Sequence, residues 1–232
     1  MRRALRIVGT LLIVAGALTL AWTLVVWQWQ DPFTALYTKW KQHQLASQYQ
    51  KRVEAYSTPI VTTSLTAERR SIAREAKRYR ASSTRGEAIG RIRIPRMGVN
   101  LVLVNGTDHE TLKKGPGRDG RTFMPGEDRL IYIAGHRTTY GAPFSHIDRL
   151  KSGDRVTIEV PYGTFIYAVT RHRIVKATDL SVLRSPKHEV VELQACHPRF
   201  FASHRYIAYA RLLRVEPRGA KPYELEAQAS GK

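Results

Sequence analysis

The chain opens with a long stretch without charge, bounded by charged residues on both sides. The basic segment MRRALR is followed by IVGTLLIVAGALTLAWTLVVWQWQ, and the next charged residue is Asp31. A helix needs about 20 residues to cross the hydrocarbon core of a bilayer, so this pattern predicts one N-terminal transmembrane helix within residues 1–30. Basic residues before the apolar stretch and tryptophans near its far end favour a cytoplasmic N-terminus and an extracytoplasmic remainder.

A cleaved signal peptide is the alternative for the same segment, since Ala15-Gly16-Ala17 is compatible with a cleavage site. The apolar run continues well beyond Ala17, however, and this length favours an uncleaved anchor. Both interpretations place the residues after position 30 outside the cytoplasm. A helix buried in a soluble core is the third and least favoured interpretation.

Residues 31–87 predict a juxtamembrane helix followed by a basic linker. Apolar residues recur at steps of three and four, which is typical of a short amphipathic helix just outside the membrane: Phe33, Leu36, Tyr37 and Trp40. The segment AERRSIAREAKRYR at 67–80 is rich in Lys and Arg and predicts a solvated helix. Such a helix is either an exposed tether or a contact for anionic lipid or wall polymer.

From residue 88 the pattern changes to short β-type runs separated by turn-forming residues. The runs are IGRIRIP, GVNLVLV, RLIYIAGH, DRVTIEV, TFIYAVTRHRIV, VVELQAC and RYIAYARLLRV. Seven or eight short strands predict an all-β domain with short helices over 88–216, built as a closed barrel or a sandwich. APFSHIDRL at 142–150 predicts a helix within this domain. Residues 217–232 contain few apolar residues, which predicts a flexible tail.

The charge balance restricts the partners of the chain without choosing among them. There are 38 Lys and Arg against 19 Asp and Glu, which gives a formal net charge of +19 at pH 7. Such a field attracts polyanions, namely nucleic acid, anionic lipid head groups or an acidic cell wall. A nucleic-acid partner does not fit the predicted anchor and is not expected.

Cys196 is the single cysteine of the chain. Outside the cytoplasm a lone cysteine is an inert buried residue, a partner in an intermolecular disulfide or a reactive thiol. Strand alternation in VVELQAC puts Val191, Leu193 and Ala195 on the apolar core side. Cys196 then shares the other face with Glu192 and Gln194, at a strand end that faces something wet. This placement favours a nucleophile.

A nucleophilic thiol needs a proton acceptor and a group that stabilises the oxyanion. His136 closes the apolar strand RLIYIAGH and projects into a loop, which is well placed for a cleft. Arg205 begins the last strong strand and could donate to an oxyanion, although a solvated charge at a strand end is an equal alternative.

The other histidines are weaker candidates for this role. His197 is expected on the opposite face from Cys196, and His188 and His204 in exposed loops. The rest have no neighbouring chemistry in the sequence: His43, His109, His146 and His172. A zinc site formed by Cys196 with the nearby histidines matches no common ligand spacing, so neither a metal nor a cofactor is expected.

These residues together resemble a known family. AGHRTTYGAPF (134–144), LQAC (193–196) and Arg205 are similar to the sortases, most closely to class E. Further likeness lies in DPFTALYTKW, IGRIRIPRMGVNLVLVNGTD, LKKGPG and CHPRFFASHRYIAYARL. The resemblance implies a closed eight-stranded β-barrel. It also implies a membrane-anchored cysteine transpeptidase of a Gram-positive type of envelope.

The resemblance also implies roles and partners. Cys196 would be the nucleophile, His136 the general acid and base, and Arg205 the oxyanion or substrate-backbone ligand. The enzyme would cleave an LAxTG or LPxTG sorting-signal peptide after threonine and form a thioester. An amine from a peptidoglycan precursor or a pilin lysine would then resolve the thioester, without a cofactor.

One departure from the family pattern concerns the strand that carries the cysteine. The pattern T-L-x-T-C is replaced here by Glu192-Leu193-Gln194-Ala195-Cys196, so both threonines are missing. This departure bears on substrate preference and rate. It also keeps open a non-catalytic alternative, a basic, membrane-tethered scaffold that binds cell wall. A cysteine peptidase that releases its product to water is a further alternative.

Overall fold

The computed structural model describes residues 2–29, 32–56 and 64–225, and for 26–29, 32 and 33 it describes the backbone alone. Three helices precede the β domain: α1 at Arg2–Trp29, α2 at Pro32–Ala55 and α3 at Leu65–Ser82. The side chains of Trp27, Trp29 and Phe33 therefore lie outside the described part.

Among the described helices, α1 has the length and composition needed to cross a membrane. Its span Arg2–Val25 has a mean hydropathy of 2.1, and 0% of this window is buried against the rest of the molecule. A fully exposed apolar helix of this length cannot be a core helix of the described molecule, which removes the third interpretation of this segment.

The β domain is a closed eight-stranded barrel. The strands are β1 Ala88–Ile94, β2 Val99–Asn105, β3 Gly117–Arg118, β4 Leu130–Ala134, β5 Arg155–Val160, β6 Gly163–Lys176, β7 Val190–His197, β8 His204–Pro217 and β9 Tyr223–Glu224. They pair in the order β6-β5-β1-β2-β3-β4-β7-β8-β9, and an additional pairing of β6 with β8 closes the ring. The predicted barrel is confirmed, and β9 adds to β8 without taking part in closure.

The inside of the barrel forms the main core. Alternate residues of the strands point inward and are almost fully buried, as strand geometry requires: Ile92, Ile133, Val156, Ile158, Phe165, Tyr167, Leu193 and Ala208. Short helical segments lie between the strands: α4 at His109–Leu112 and 3-10 turns at Pro95–Met97, Ile147–Arg149 and Leu180–Leu183.

The basic helix α3 packs on the barrel, so the expectation of a solvated helix was wrong. Ile72 and Ala76 are 2% and 0% exposed and belong to the main core. Tyr79 follows on the same helix face, and its hydroxyl donates to the Ile89 carbonyl at 3.0 Å. Arg80 binds both carboxylate oxygens of Glu127, at 2.8 and 3.1 Å. Three apolar positions at helical spacing outweigh the charge of the rest of the segment.

The prediction of a helix at 142–150 was also wrong, because only the 3-10 turn Ile147–Arg149 forms there. Ala142 has a φ of 38°, a value that a helix does not allow. The backbone N–H of Phe144 donates to the His136 carbonyl at 3.0 Å, which ties this segment to the preceding loop. Of the segment predicted as a tail, Tyr223 and Glu224 pair with β8, while residues 226–232 lie outside the described residues.

Helix α2 lies against β1 and β2 through residues that the apolar pattern did not single out. Leu45 and Tyr49 are 4% and 7% exposed and pack on Ala88, Val102 and Val104. The apolar residues of its first turns lie on the other side: Leu36, Tyr37 and Trp40 are 69%, 38% and 54% exposed.

Candidate active site

Cys196 lies near the end of β7, on the outer face of the barrel. Its neighbour Ala195 is fully buried in the core with Leu193 and Val191, as the alternation predicted. Cys196 itself is half-buried and free. Because position 195 points inward, the alanine that replaces the family threonine removes no group from the face that carries the thiol.

Arg205 lies directly opposite Cys196 on the neighbouring strand. The antiparallel register of β7 and β8 pairs these two residues, and such partners have Cβ atoms about 4.5–5.5 Å apart. The Arg205 Nη1 donates to the carbonyls of Ala202 and His204 at 2.7 and 3.0 Å. These two bonds fix the guanidinium near the start of β8, and both Arg205 and Cys196 line the same cleft.

His136 comes level with Cys196 through the parallel pairing of β4 with β7. Ala134 pairs with Gln194, and the Gly135 N–H extends this ladder to the Gln194 carbonyl at 3.0 Å. Both residues of interest lie two positions beyond that pair. Position 135 must be glycine, since a Cβ there would lie 2.7 Å from the buried Phe144 ring. This close contact sets where the chain leaves β4 and hence where His136 lies.

The surroundings of His136 favour its neutral form. Burial lowers the pKa of the ring, and the nearby charge of His109 lowers it further. Within the described part of the chain, Nε2 of His136 is buried and has no hydrogen-bond partner. A neutral imidazole with an unpartnered nitrogen can accept a proton from a thiol and return it later.

Cys196, His136 and Arg205 line one cleft of about 260 Å³. One wall is apolar and comes from the segment between β6 and β7: Ala177, Leu180, Val182 and Leu183. Other walls carry charge from Asp119, Arg121 and Asp179. A cleft with an apolar wall and polar groups near the thiol suits an extended peptide with an apolar side chain.

Arg137 is a positioning residue that the sequence did not reveal. It is 4% exposed, and its Nη1 donates to the Cys196 carbonyl at 3.2 Å and lies 3.0 Å from Nδ1 of His197. Its Nη2 makes an ion pair with Asp148 at 3.3 Å. Arg137 therefore links the loop after His136 to the backbone of the cysteine.

His109 and Tyr140 stand around His136, so the expectation that His109 has no neighbouring chemistry was wrong. The His136 ring centroid lies 6.4 Å from that of His109 and 5.1 Å from that of Tyr140. His109 comes from α4, between β2 and β3, and no local pattern in the sequence signals its contact with His136. His188, by contrast, is exposed as expected.

The outer face of β7 is partly covered, although the sequence placed the polar residue Glu192 on the same face as Cys196. Glu192 is 5% exposed, and burial raises its pKa to about 7 against the opposing charges of Arg171 and Arg173. The cover is a second apolar cluster, formed by Leu130, Tyr132, Ala134, Val175, Val182, Ile207 and Tyr209. Among the described residues, no group of three or more His, Cys, Asp and Glu could hold a metal ion.

Comparisons with known proteins agree with the barrel fold. The chain is 34% identical over 131 residues to sortase D of Bacillus subtilis, which covers 54% of this chain and 64% of that relative. The structure of sortase E from Streptomyces avermitilis matches with a TM-score of 0.52 and 32% identity, covering 58% of this chain and 93% of that one. This match confirms the likeness to class E.

A Clostridium perfringens sortase D5 transpeptidase shares the fold with a TM-score of 0.60 at 24% identity, over 75% of this chain and 98% of that one. The chain spans less than two thirds of the length of the Bacillus subtilis relative that it matches. The family model "Sortase domain" matches residues 92–213, which is just over half of the chain. The chain therefore belongs to the sortase family.

Proposed function

We propose that the chain is a membrane-anchored cysteine transpeptidase that cleaves an LAxTG- or LPxTG-type sorting signal. The single observation that carries this proposal is the register of three neighbouring strands. It sets Cys196 opposite Arg205 and brings His136 level with the thiol beyond the end of β4, in one cleft. The three groups are those that an acyl transfer from a peptide to an amine requires.

In the first half of the reaction, the Cys196 thiol gives its proton to His136 as the sulfur attacks the carbonyl carbon of the threonine. Arg205 stabilises the oxyanion as a charged donor. Within the described residues its Nη1 is bound to backbone carbonyls, so Nε and Nη2 serve the substrate. When the C–N bond breaks, the imidazolium protonates the leaving amine, and a thioester remains.

In the second half, an amine from a peptidoglycan precursor or from a pilin lysine attacks the thioester. His136 takes the proton of the attacking amine and returns it to the sulfur as the thiol leaves. The lowered pKa of His136 suits this exchange, because the ring is neutral before each attack. Water in place of the amine would give hydrolysis, which is the competing outcome.

The proposed organisation follows the expected division of the chain. Residues 1–30 would anchor it in the membrane with the N-terminus in the cytoplasm, in support of which α1 has the required length and apolar character. The barrel at 88–216 would carry the chemistry outside. Residues 31–87 would connect the two, with α2 and α3 packed on the barrel, and residues 217–232 would be the C-terminal extension.

The test is mass spectrometry of the full chain, reconstituted in vesicles, with an LAxTG peptide, an LPxTG peptide and an excess of a glycine-type amine. We expect an acyl-enzyme on Cys196 and an amine-capped product. Both should vanish in Cys196→Ala and in His136→Ala, and both should persist in the control His188→Ala, whose residue is exposed. Hydrolysed product alone would identify a peptidase, and no product with either peptide would favour the wall-binding scaffold.

A further inference from the structure

The first two turns of α2 present large apolar side chains away from the barrel. Leu36 and Trp40 are 69% and 54% exposed and lie one helical turn apart. Tyr37 adds a third ring at 38% exposure, 6.4 Å from the Trp40 ring. We call these three residues the outer patch of α2. Adjacent exposed apolar residues of this size indicate a surface that another partner covers.

The exposed face of α2 changes from apolar to polar along the helix. After the outer patch, the exposed residues are polar: His43, Gln44, Ser47 and Gln48. Leu36, Trp40 and Gln44 follow one line at i, i+4 spacing, so the change occurs along a single face. The partner of this face therefore reaches only the first two turns.

Chain connectivity places these turns close to the end of α1. Helix α1 ends at Trp29 and α2 begins at Pro32. Three Cα steps of about 3.8 Å separate the two helix ends by at most about 11 Å. An anchor in the bilayer would therefore keep the start of α2 at the membrane surface.

The residue types around the outer patch suit a lipid surface with negative head groups. Lys39 and Lys41 are interleaved with the apolar residues, and no acidic residue occurs from 32 to 53. The Lys41 ammonium lies 4.3 Å from the Trp40 ring centroid. Trp and Tyr favour the lipid–water boundary, and Lys is attracted to anionic lipid.

Helix α2 is bonded to the segments around the cleft on its other side. Thr34 Oγ1 accepts a hydrogen bond from the Tyr140 N–H at 2.9 Å, and Tyr140 packs on His136. Thr38 Oγ1 donates to the Lys113 carbonyl at 2.9 Å. A surface bound by the outer patch would thus be held at a fixed distance from the loop that carries His136.

We propose that the outer patch, with Lys39 and Lys41, docks into the head-group layer of an anionic bilayer and sets the height and tilt of the cleft above the membrane. The proposal rests on the proposed membrane anchor and goes beyond it, since an anchored domain on a free tether would need no such contact. The docked position would present the cleft to substrates that are themselves held at the membrane.

The test uses the full chain carrying Cys196→Ala, so that a fluorescent label goes to one introduced cysteine. Leu36→Cys, Trp40→Cys and Ser47→Cys are compared in vesicles that contain phosphatidylglycerol. We expect lipid-bound nitroxide to quench the labels at 36 and 40, and aqueous iodide to quench the label at 47. Position 47 is the matched control, because it is exposed on the same helix.

A fourth variant, Leu12→Cys, separates this proposal from the anchor. Lipid quenching at 12 together with iodide quenching at 36 and 40 would overturn the docking and leave the anchor intact. Iodide quenching at 12 would overturn both. Labels at 36 and 40 that neither quencher reaches would overturn the docking in favour of a second copy of the chain.

The charge part of the proposal has its own measurement. In vesicles of phosphatidylcholine alone, lipid quenching at 36 and 40 should fall, and Lys39→Gln with Lys41→Gln should produce the same fall with phosphatidylglycerol present. Quenching that is equal in both lipids would overturn the role of the anionic head groups.

Discussion

The two faces of β7 belong to the same eight residues and have opposite surroundings. On the inner face, Val191, Leu193 and Ala195 are fully buried in the barrel. On the outer face, Glu192 lies under a cover, whereas Cys196, near the end of the strand, lines the open cleft. The inner face is buried along its whole length, whereas the outer face is buried at Glu192 and open to the cleft at Cys196. Cys196, the proposed nucleophile, is accessible because it lies where the cover ends.

Replacement of Arg205, which lies opposite Cys196, tests whether the open end of the outer face carries the chemistry. In Arg205→Gln, loss of one charged oxyanion donor should lower kcat by about 10² to 10³-fold. The free energy of unfolding should stay near the wild-type value, because among the described residues the half-buried side chain bonds to nearby backbone carbonyls. Peptide turnover and urea unfolding measure the two effects.

The control for this variant is Arg211→Gln, which removes an exposed charge from the same strand. It should keep its activity. A fall in kcat of less than tenfold in Arg205→Gln would argue against an oxyanion role for that residue.

Replacement on the inner face should have the reverse pattern. Leu193→Ala removes a side chain that is 0% exposed, so it should reduce the free energy of unfolding by about 3 kcal/mol through lost burial and a residual cavity. Ile174→Ala, at a position that is 50% exposed, should cost much less. Chemical unfolding followed by circular dichroism measures both, and equal losses would show that the two positions are not packed differently.

The covered part of the outer face gives a smaller effect that depends on pH. Burial raises the pKa of Glu192 to about 7, so the native state binds a proton that the unfolded chain has released above about pH 4.3. Stability therefore falls as the pH rises from there to about 7. Glu192→Gln should remove this loss and stabilise the protein relative to wild type at pH 8, with no gain at pH 4.

Thermal unfolding at both pH values measures the gain from Glu192→Gln. The exposed Glu54→Gln serves as the control, because it makes the same substitution at the surface. A gain that is equal at pH 4 and pH 8 would show that the benefit comes from packing and not from the buried carboxyl.

The smallest effect concerns the open end of the outer face. His109 lowers the pKa of the His136 ring through its charge, after the larger effect of burial. His109→Gln should therefore move the titration of His136 to higher pH, as followed by NMR of the ring protons. The variant His188→Gln should leave this titration unchanged, and a shift to lower pH in His109→Gln would contradict the assigned cause.

Much of this molecule could be predicted from local patterns. Alternation in β7 predicted the buried inner residues. A lone cysteine, a histidine at a strand end and an arginine at the head of a strand indicated the three cleft residues before any geometry was available. The strand count predicted an all-β domain, although only the family resemblance chose a barrel over a sandwich.

What local patterns missed depends on contacts between distant segments. The cover over Glu192 comes from residues around Val182, and the ring beside His136 comes from α4. The Arg137 side chain reaches the cysteine backbone across 59 positions of sequence. In α3, the many basic residues suggested a solvated helix. The three apolar positions are buried because they pack against the barrel, and this contact is not visible in the helix sequence alone.

The packing of α2 and α3 has a consequence for how the catalytic part can be produced in isolation. The family match begins at residue 92, yet Ile72 and Ala76 complete the main core and Leu45 covers the outside of β1 and β2. A recombinant fragment trimmed to the matched region would expose the two apolar surfaces that α2 and α3 cover. A fragment that keeps the packing seen here therefore has to include both helices as well as the strands.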